Sequence, residues 1–109
     1  MANNFRLKTK SNIGITTTSI YTVPASTSTT VIGLTLSNIY SGNIKVSAII
    51  ERSGSDSVHI LRRVVIPIEQ TLEVMNGNKL VMEENDTLKI FSDNPSSLDV
   101  SLSILEISQ

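Results

Sequence analysis

The sequence predicts an all-β fold: a single antiparallel β-sandwich, jelly-roll-like, of about seven or eight strands, with an extended N-terminal arm. Three observations predict it. Apolar residues recur at every second position in several segments, and no segment sustains helical spacing. Clusters of turn-forming residues separate these segments at short intervals, the rhythm of an all-β domain. The chain has 109 residues, the size of one domain. Residues 1–14 are read as the arm and residues 15–109 as the sandwich.

Strands are expected over residues 17–23, 30–39, 43–52, 57–65, 71–75, 79–82, 86–92 and 97–107. In 30–39, Ile32, Leu34 and Leu36 alternate with Val31, Gly33 and Thr35. In 43–52, Ile44, Val46, Ala48 and Ile50 form one face, and in 97–107 Leu98, Val100, Leu102 and Ile104 do. The opposite faces are rich in Ser and Thr; threonine keeps strand propensity while staying polar. Leu105 and Ile107 break this phase. Either a bulge near Ser103–Leu105 restores it, or both faces of the segment are covered, one by a partner.

Pro24-Ala25-Ser26 ends the first of these strands, and Asp93-Asn94-Pro95-Ser96 is a further turn in which proline stops the ladder. Ser41-Gly42-Asn43, Ser53-Gly54-Ser55-Asp56 and Asn76-Gly77-Asn78 are read as hairpin connections. The acidic run Glu83-Glu84-Asn85-Asp86-Thr87 lacks the converging oxygens and glycine of a calcium loop. It is read as a turn, with Asn85 left-handed and Asp86 bonding local amides.

Composition removes several functions. Without cysteine there is no disulfide, thiolate metal site or cysteine nucleophile. The start MANNFRLKTK has no apolar run behind it, so no secretory signal is expected, and VVIPI is too short to span a bilayer. The lone His59 lacks an identifiable partner for nucleophilic catalysis, and no phosphate-binding, dinucleotide or zinc motif occurs. No catalytic residue, cofactor, metal or small-molecule substrate is therefore expected. A net charge of −1, no tryptophan, two Phe and two Tyr give no footprint for nucleic acid, and the same scarcity weakens a sugar platform.

Charge is unevenly spread. Residues 1–50 hold four bases and no acid, +4; residues 51–109 hold five bases and ten acids, −5. A basic N-terminal arm meeting an acidic surface, on its own domain or a neighbour, is one use of that asymmetry. Within the arm, Asn4, Phe5, Arg6, Leu7, Lys8 and Lys10 place an apolar edge beside a basic one. The arm is either the first strand of its own sheet, a strand added to a neighbouring subunit, or a tail. Phe91, out of phase with Leu88 and Ile90, is expected on an outward face as part of a contact patch. Arg62 and Arg63 adjoin in a strand and so are expected on opposite faces, one solvated and one meeting an acid or an interface.

The segments ANNFRLKTKSNIG, IYTVPAS with TTVIGLTLSN, VVIPIEQTLEV, KLVMEENDTLKIFS and LDVSLSILEIS span nearly the whole chain. In this order they resemble small β-sandwich virion structural proteins of tailed bacteriophages, especially those infecting marine bacteria. Members commonly have Gly-Asp where Asn85-Asp86 stand here, and more glycine around the position of Pro67. The resemblance implies a non-enzymatic particle component, a capsid decoration protein or a neck or tail component, assembled in the host cytoplasm. Its expected partners are other virion proteins and further copies of itself, with no membrane. The alternative is a receptor- or glycan-binding module of a fibre, acting through loops near Tyr21 or Tyr40. A host-directed accessory protein absent from the virion is a third possibility.

Overall fold

The computed structural model describes residues 2–53 and 56–108, and every expected strand is present in it. The strands are β1 (Ala2–Ile13), β2 (Thr18–Thr22), β3 (Thr27–Asn38), β4 (Ile44–Glu51), β5 (Ser57–Ile66), β6 (Thr71–Glu73), β7 (Leu80–Met82), β8 (Thr87–Ser92) and β9 (Leu98–Ser108). Met1, Gln109 and the Gly54-Ser55 centre of the expected β4–β5 turn lie outside the described residues. The strand beyond the expected eight is the arm itself. Residues 2–13 pair with β9 as the edge of one sheet.

Chain order dictates how the two sheets form. The first half of the chain pairs with the second in reverse: β1 with β9, β2 with β8, β3 with both β6 and β7, β4 with β5. That long folded-back ribbon winds into one sheet ordered β1-β9-β3-β6, with β7 also on β3, and another ordered β2-β8-β4-β5. The two antiparallel sheets pack face to face as a sandwich, as expected. Leu34, Leu36, Val100, Leu102 and Ile104 of the first sheet, and Ile44, Val46, Ala48, Leu88 and Ile90 of the second, are almost wholly buried between them. Burial of each large side chain contributes about 1.5–3 kcal/mol, and this layer holds the sheets together.

Three local expectations change. Ile32 is not inward with Leu34; it is 42% exposed while Val31 and Leu34 are buried. A bulge between Val31 and Gly33 inserts one residue opposite Ser103 and reverses the phase of β3. That is also the only register shift of the β3–β9 ladder, so no bulge forms within Ser103–Leu105. Leu98 through Glu106 keep unbroken alternation, and Leu105 and Ile107 stand on the outer face.

Second, of the three expected hairpins only the β4–β5 connection is one. Ser41-Gly42-Asn43 carries the chain from one sheet to the other, and Asn76-Gly77-Asn78 joins β6 to β7, which do not pair. Positive φ at Asn76 (41°) and Gly77 (89°) makes a local excursion, but β6 and β7 both run antiparallel to β3, so the chain continues along the same edge instead of turning back. Such residues specify a bend but not whether the strand beyond it pairs with the one before. The crossing after β3 is secured by buried Asn38. Its Nδ2 donates towards the carbonyls of Gly42, Ile66 and Pro67, and its Oδ1 accepts from the Tyr40 amide.

Third, Arg62 and Arg63 do not alternate cleanly. The β4–β5 register shifts on both sides of Ala48, and Arg63 has φ 53°, its amide donating to Ser47 Oγ at 3.1 Å. Both arginines are exposed and, among the described residues, neither forms an ion pair.

Candidate functional site: an inverted edge strand and an apolar outer face

β1 is amphipathic, and it is mounted with its apolar side outward. In an antiparallel pair, residues directly opposite share a face. Arg6, Lys8 and Lys10 oppose Ile104, Leu102 and Val100, so the basic residues point to the sandwich interior side. Phe5 and Leu7 oppose Leu105 and Ser103 and point away from the domain. Phe5 is 76% exposed and Leu7 65%. A strand serving only its own core would have the opposite polarity.

A buried polar cluster fixes this orientation. Glu106, inward-facing on β9 and buried, accepts from Arg6 Nε at 2.6 Å and from the Tyr21 hydroxyl at 2.5 Å. Having donated its proton to Glu106, Tyr21 accepts from Thr29 Oγ1 at 2.8 Å. Four strands, β1, β2, β3 and β9, are thereby joined at one point. The basic arm does meet an acid of its own domain through Arg6. Lys8 and Lys10 form no ion pair among the described residues.

Burial pushes Tyr21 up to about 12, reinforced by its bond to Glu106. Burial also opposes ionisation of Glu106, but the hydrogen bonds from Tyr21 and Arg6 outweigh it and hold the carboxyl below its ordinary value. A pKa raised on folding contributes stability that is complete below the unfolded value, 10.0 for Tyr21, and is lost as pH rises through about 12. Two units correspond to roughly 2–3 kcal/mol. Denaturant titrations from pH 9 to 12 are expected to show this loss in the wild type; Tyr21→Phe should begin less stable and fall less steeply.

Outside the cluster, one apolar row crosses the whole sheet. Phe5, Leu105, Thr30 and Val81 lie side by side on β1, β9, β3 and β7, with Val81 64% exposed. Leu7 and Ile107 flank the row, and the bulge turns Ile32 out beside it. The remaining positions in these rows, Asn3, Ser28, Gly33 and Ser103, are uncharged. Sequence reasoning found Phe5, Leu7, Leu105 and Ile107 but missed Ile32 and Val81. The signal for Val81 was its place between Leu80 and Met82 in a strand too short to show alternation; the bulge behind Ile32 has none.

The other expected contact residues lie elsewhere. Phe91 is half-buried on the outer face of the second sheet, opposite Ser47 and near the Lys89–Glu51 ion pair. It is on the far side of the molecule from Phe5. Arg62 and Arg63 are on edge strand β5. Asn4 is exposed on β1 opposite Glu106. Tyr21 is buried and Tyr40 half-buried against the core. Asn85 is left-handed (φ 68°), and Asp86 accepts from the Glu83 amide at 2.8 Å and from Arg52 Nε at 3.0 Å, as a turn requires. Hydrogen bonding to Asp86 raises the pKa of Arg52. His59 is exposed on β5. Among the described residues no three His, Asp or Glu side chains are grouped as a metal would need.

No protein-family model matches the chain, and no curated protein matches its sequence. The fold is similar to a solved chain from Bacillus endospore appendages, described as a novel family of disulfide-linked pili. The TM-score is 0.61 at 11% identity, covering 98% of this chain and 87% of that one. At that identity the likeness establishes the shared sandwich fold.

Proposed function

We propose that the chain is a non-enzymatic structural subunit that joins a larger particle through protein–protein contacts, and that the particle is the virion of a tailed phage. There it serves as a capsid decoration protein or a neck or tail component. The single observation that carries the assembly reading is the inverted polarity of β1: charged residues face the chain's own domain while Phe5 and Leu7 face solvent. Together with Leu105, Ile107, Ile32 and Val81 they form a largely apolar face, edged by the Glu73 carboxylate beside Gly33, of the kind that marks contact sites on soluble domains. The resemblance to phage virion proteins supports the virion as its setting. The pilus-forming neighbour supports the same fold's use as a building block. Unlike the disulfide-linked pili of that description, this chain has no cysteine, so no disulfide through these residues joins it to a neighbour.

The test is quantitative mass spectrometry of purified particles. The chain is expected at a fixed copy number, high for a shell position and low for neck or tail. Its absence from particles overturns the reading.

A further inference from the structure

We propose that copies of this chain associate head to tail, the free edge of β1 in one pairing with the β6–β7 edge of the next. The inference deepens the assembly reading above and rests on it for its purpose, while the contact is read from four features of the edges.

The first is availability. The first sheet ends at β1 on one side, bonded only to β9, and at β6 and β7 on the other, bonded only to β3. Unpaired strand edges are templates for another strand. The second is direction. β1 runs parallel to β3, because both are antiparallel to β9, and β7 runs antiparallel to β3. A neighbour displaced sideways therefore presents its β1 antiparallel to β7. At the same height Phe5 of the neighbour comes level with Val81, since Phe5, Leu105, Thr30 and Val81 already share a row. The apolar row then continues from copy to copy.

The third feature is charge. Residues 2–13 carry three bases and no acid, +3. Residues 69–86, which contain β6 and β7, carry five acids and one base, −4. An open groove of about 420 Å³ runs beside β7, lined by Ile50, Ile60 and Leu80, with Glu83 and Asp86 at its rim already ion-paired to Arg52. The inward face of an incoming β1, with Lys8 lacking an ion partner of its own, would overhang that groove. The fourth feature is exclusion. Pairing β1 with another β1 sets Arg6, Lys8 and Lys10 against one another, and like charges directly opposite are destabilising. Edge strand β5 is also basic and is broken by the bulge at Arg63, while β2 has five residues and a register shift. Only the β6–β7 edge complements β1. Such a contact is heterologous, so it closes into a ring or runs on as a filament.

The test uses Phe5→Asp and Val81→Asp, both at exposed positions where folding is tolerant, checked by unchanged unfolding midpoints. Sedimentation velocity of the wild type is expected to show association that grows with concentration and weakens with salt. Each variant alone should be monomeric. Mixed in equal amounts, they should form a two-chain species and stop, because only the intact β1 of one and the intact β7 of the other remain. A wild type that stays monomeric, a variant that still associates, or a mixture that stays monomeric overturns the proposal. A monomer that is still found on particles sinks this contact and leaves the assembly reading standing; oligomers from a chain absent from particles do the reverse.

Discussion

Glu106→Ala is expected to lower folding stability by about 3 kcal/mol, a large share of what a domain of this size possesses. The carboxylate is 7% exposed and accepts from two groups, one a guanidinium. Charge-assisted hydrogen bonds contribute more than neutral ones. Its removal leaves the buried Tyr21 hydroxyl with Thr29 as its remaining partner, a neutral hydrogen bond weaker than the charge-assisted one it replaces. Arg6 loses little, since half its side chain is already in water. Arg6→Ala should therefore cost under about 1 kcal/mol, although it deletes the same ion pair. The difference between the two variants is the diagnostic quantity, read from urea midpoints at constant slope. A double-mutant cycle of Tyr21→Phe and Glu106→Gln should return a coupling of about 1–2 kcal/mol. Should Glu106→Ala match Arg6→Ala, the buried cluster adds nothing net and the orientation of β1 needs another cause.

The same carboxylate sets an acid limit. Its pKa is depressed on folding, so its contribution is present above the ordinary glutamate value and lost as pH falls through the folded one. Glu73 behaves likewise: burial opposes its ionisation but is outweighed by the amides of Leu34 and Met75 and the Thr35 hydroxyl. Both carboxylates thus contribute to acid stability, and Glu106→Gln should flatten only part of the acid limb.

What could be read beforehand follows from what carries local information. The alternation of Leu98, Val100, Leu102 and Ile104 marked a face directly, and all four are buried. Asn85 announced its left-handed backbone because few residues adopt it cheaply. Ile32 was misplaced because its orientation depends on an extra residue accommodated opposite Ser103, a property of the pairing and not of either strand. The polarity of β1 was equally out of reach. FRLKTK shows that apolar and basic residues alternate, but which edge faces inward depends on Glu106, a hundred residues away, waiting beneath Arg6. The anomaly at Leu105 and Ile107 was visible in the sequence; unbroken alternation along β9 places both residues on the outer face.

Ile104 and Leu105 are neighbours in the chain and separate stability from docking. Ile104 is 1% exposed and points into the core, so Ile104→Ala is expected to cost about 3 kcal/mol through lost burial and a cavity. Leu105 faces outward between Phe5 and Thr30, half-buried. Leu105→Asp should cost no more than about 1 kcal/mol, because water already reaches that face. On particles the ranking reverses. An aspartate at the centre of a face that docks must be desolvated without a partner, and occupancy should fall at least about tenfold, equivalent to ~1.4 kcal/mol of docking free energy. Ile104→Ala, at a temperature where it remains folded, should occupy particles like the wild type. The measurement is occupancy by quantitative mass spectrometry alongside unfolding midpoints of the same preparations. If both substitutions lower occupancy only in proportion to their loss of stability, the outer face is an ordinary surface and docking lies elsewhere.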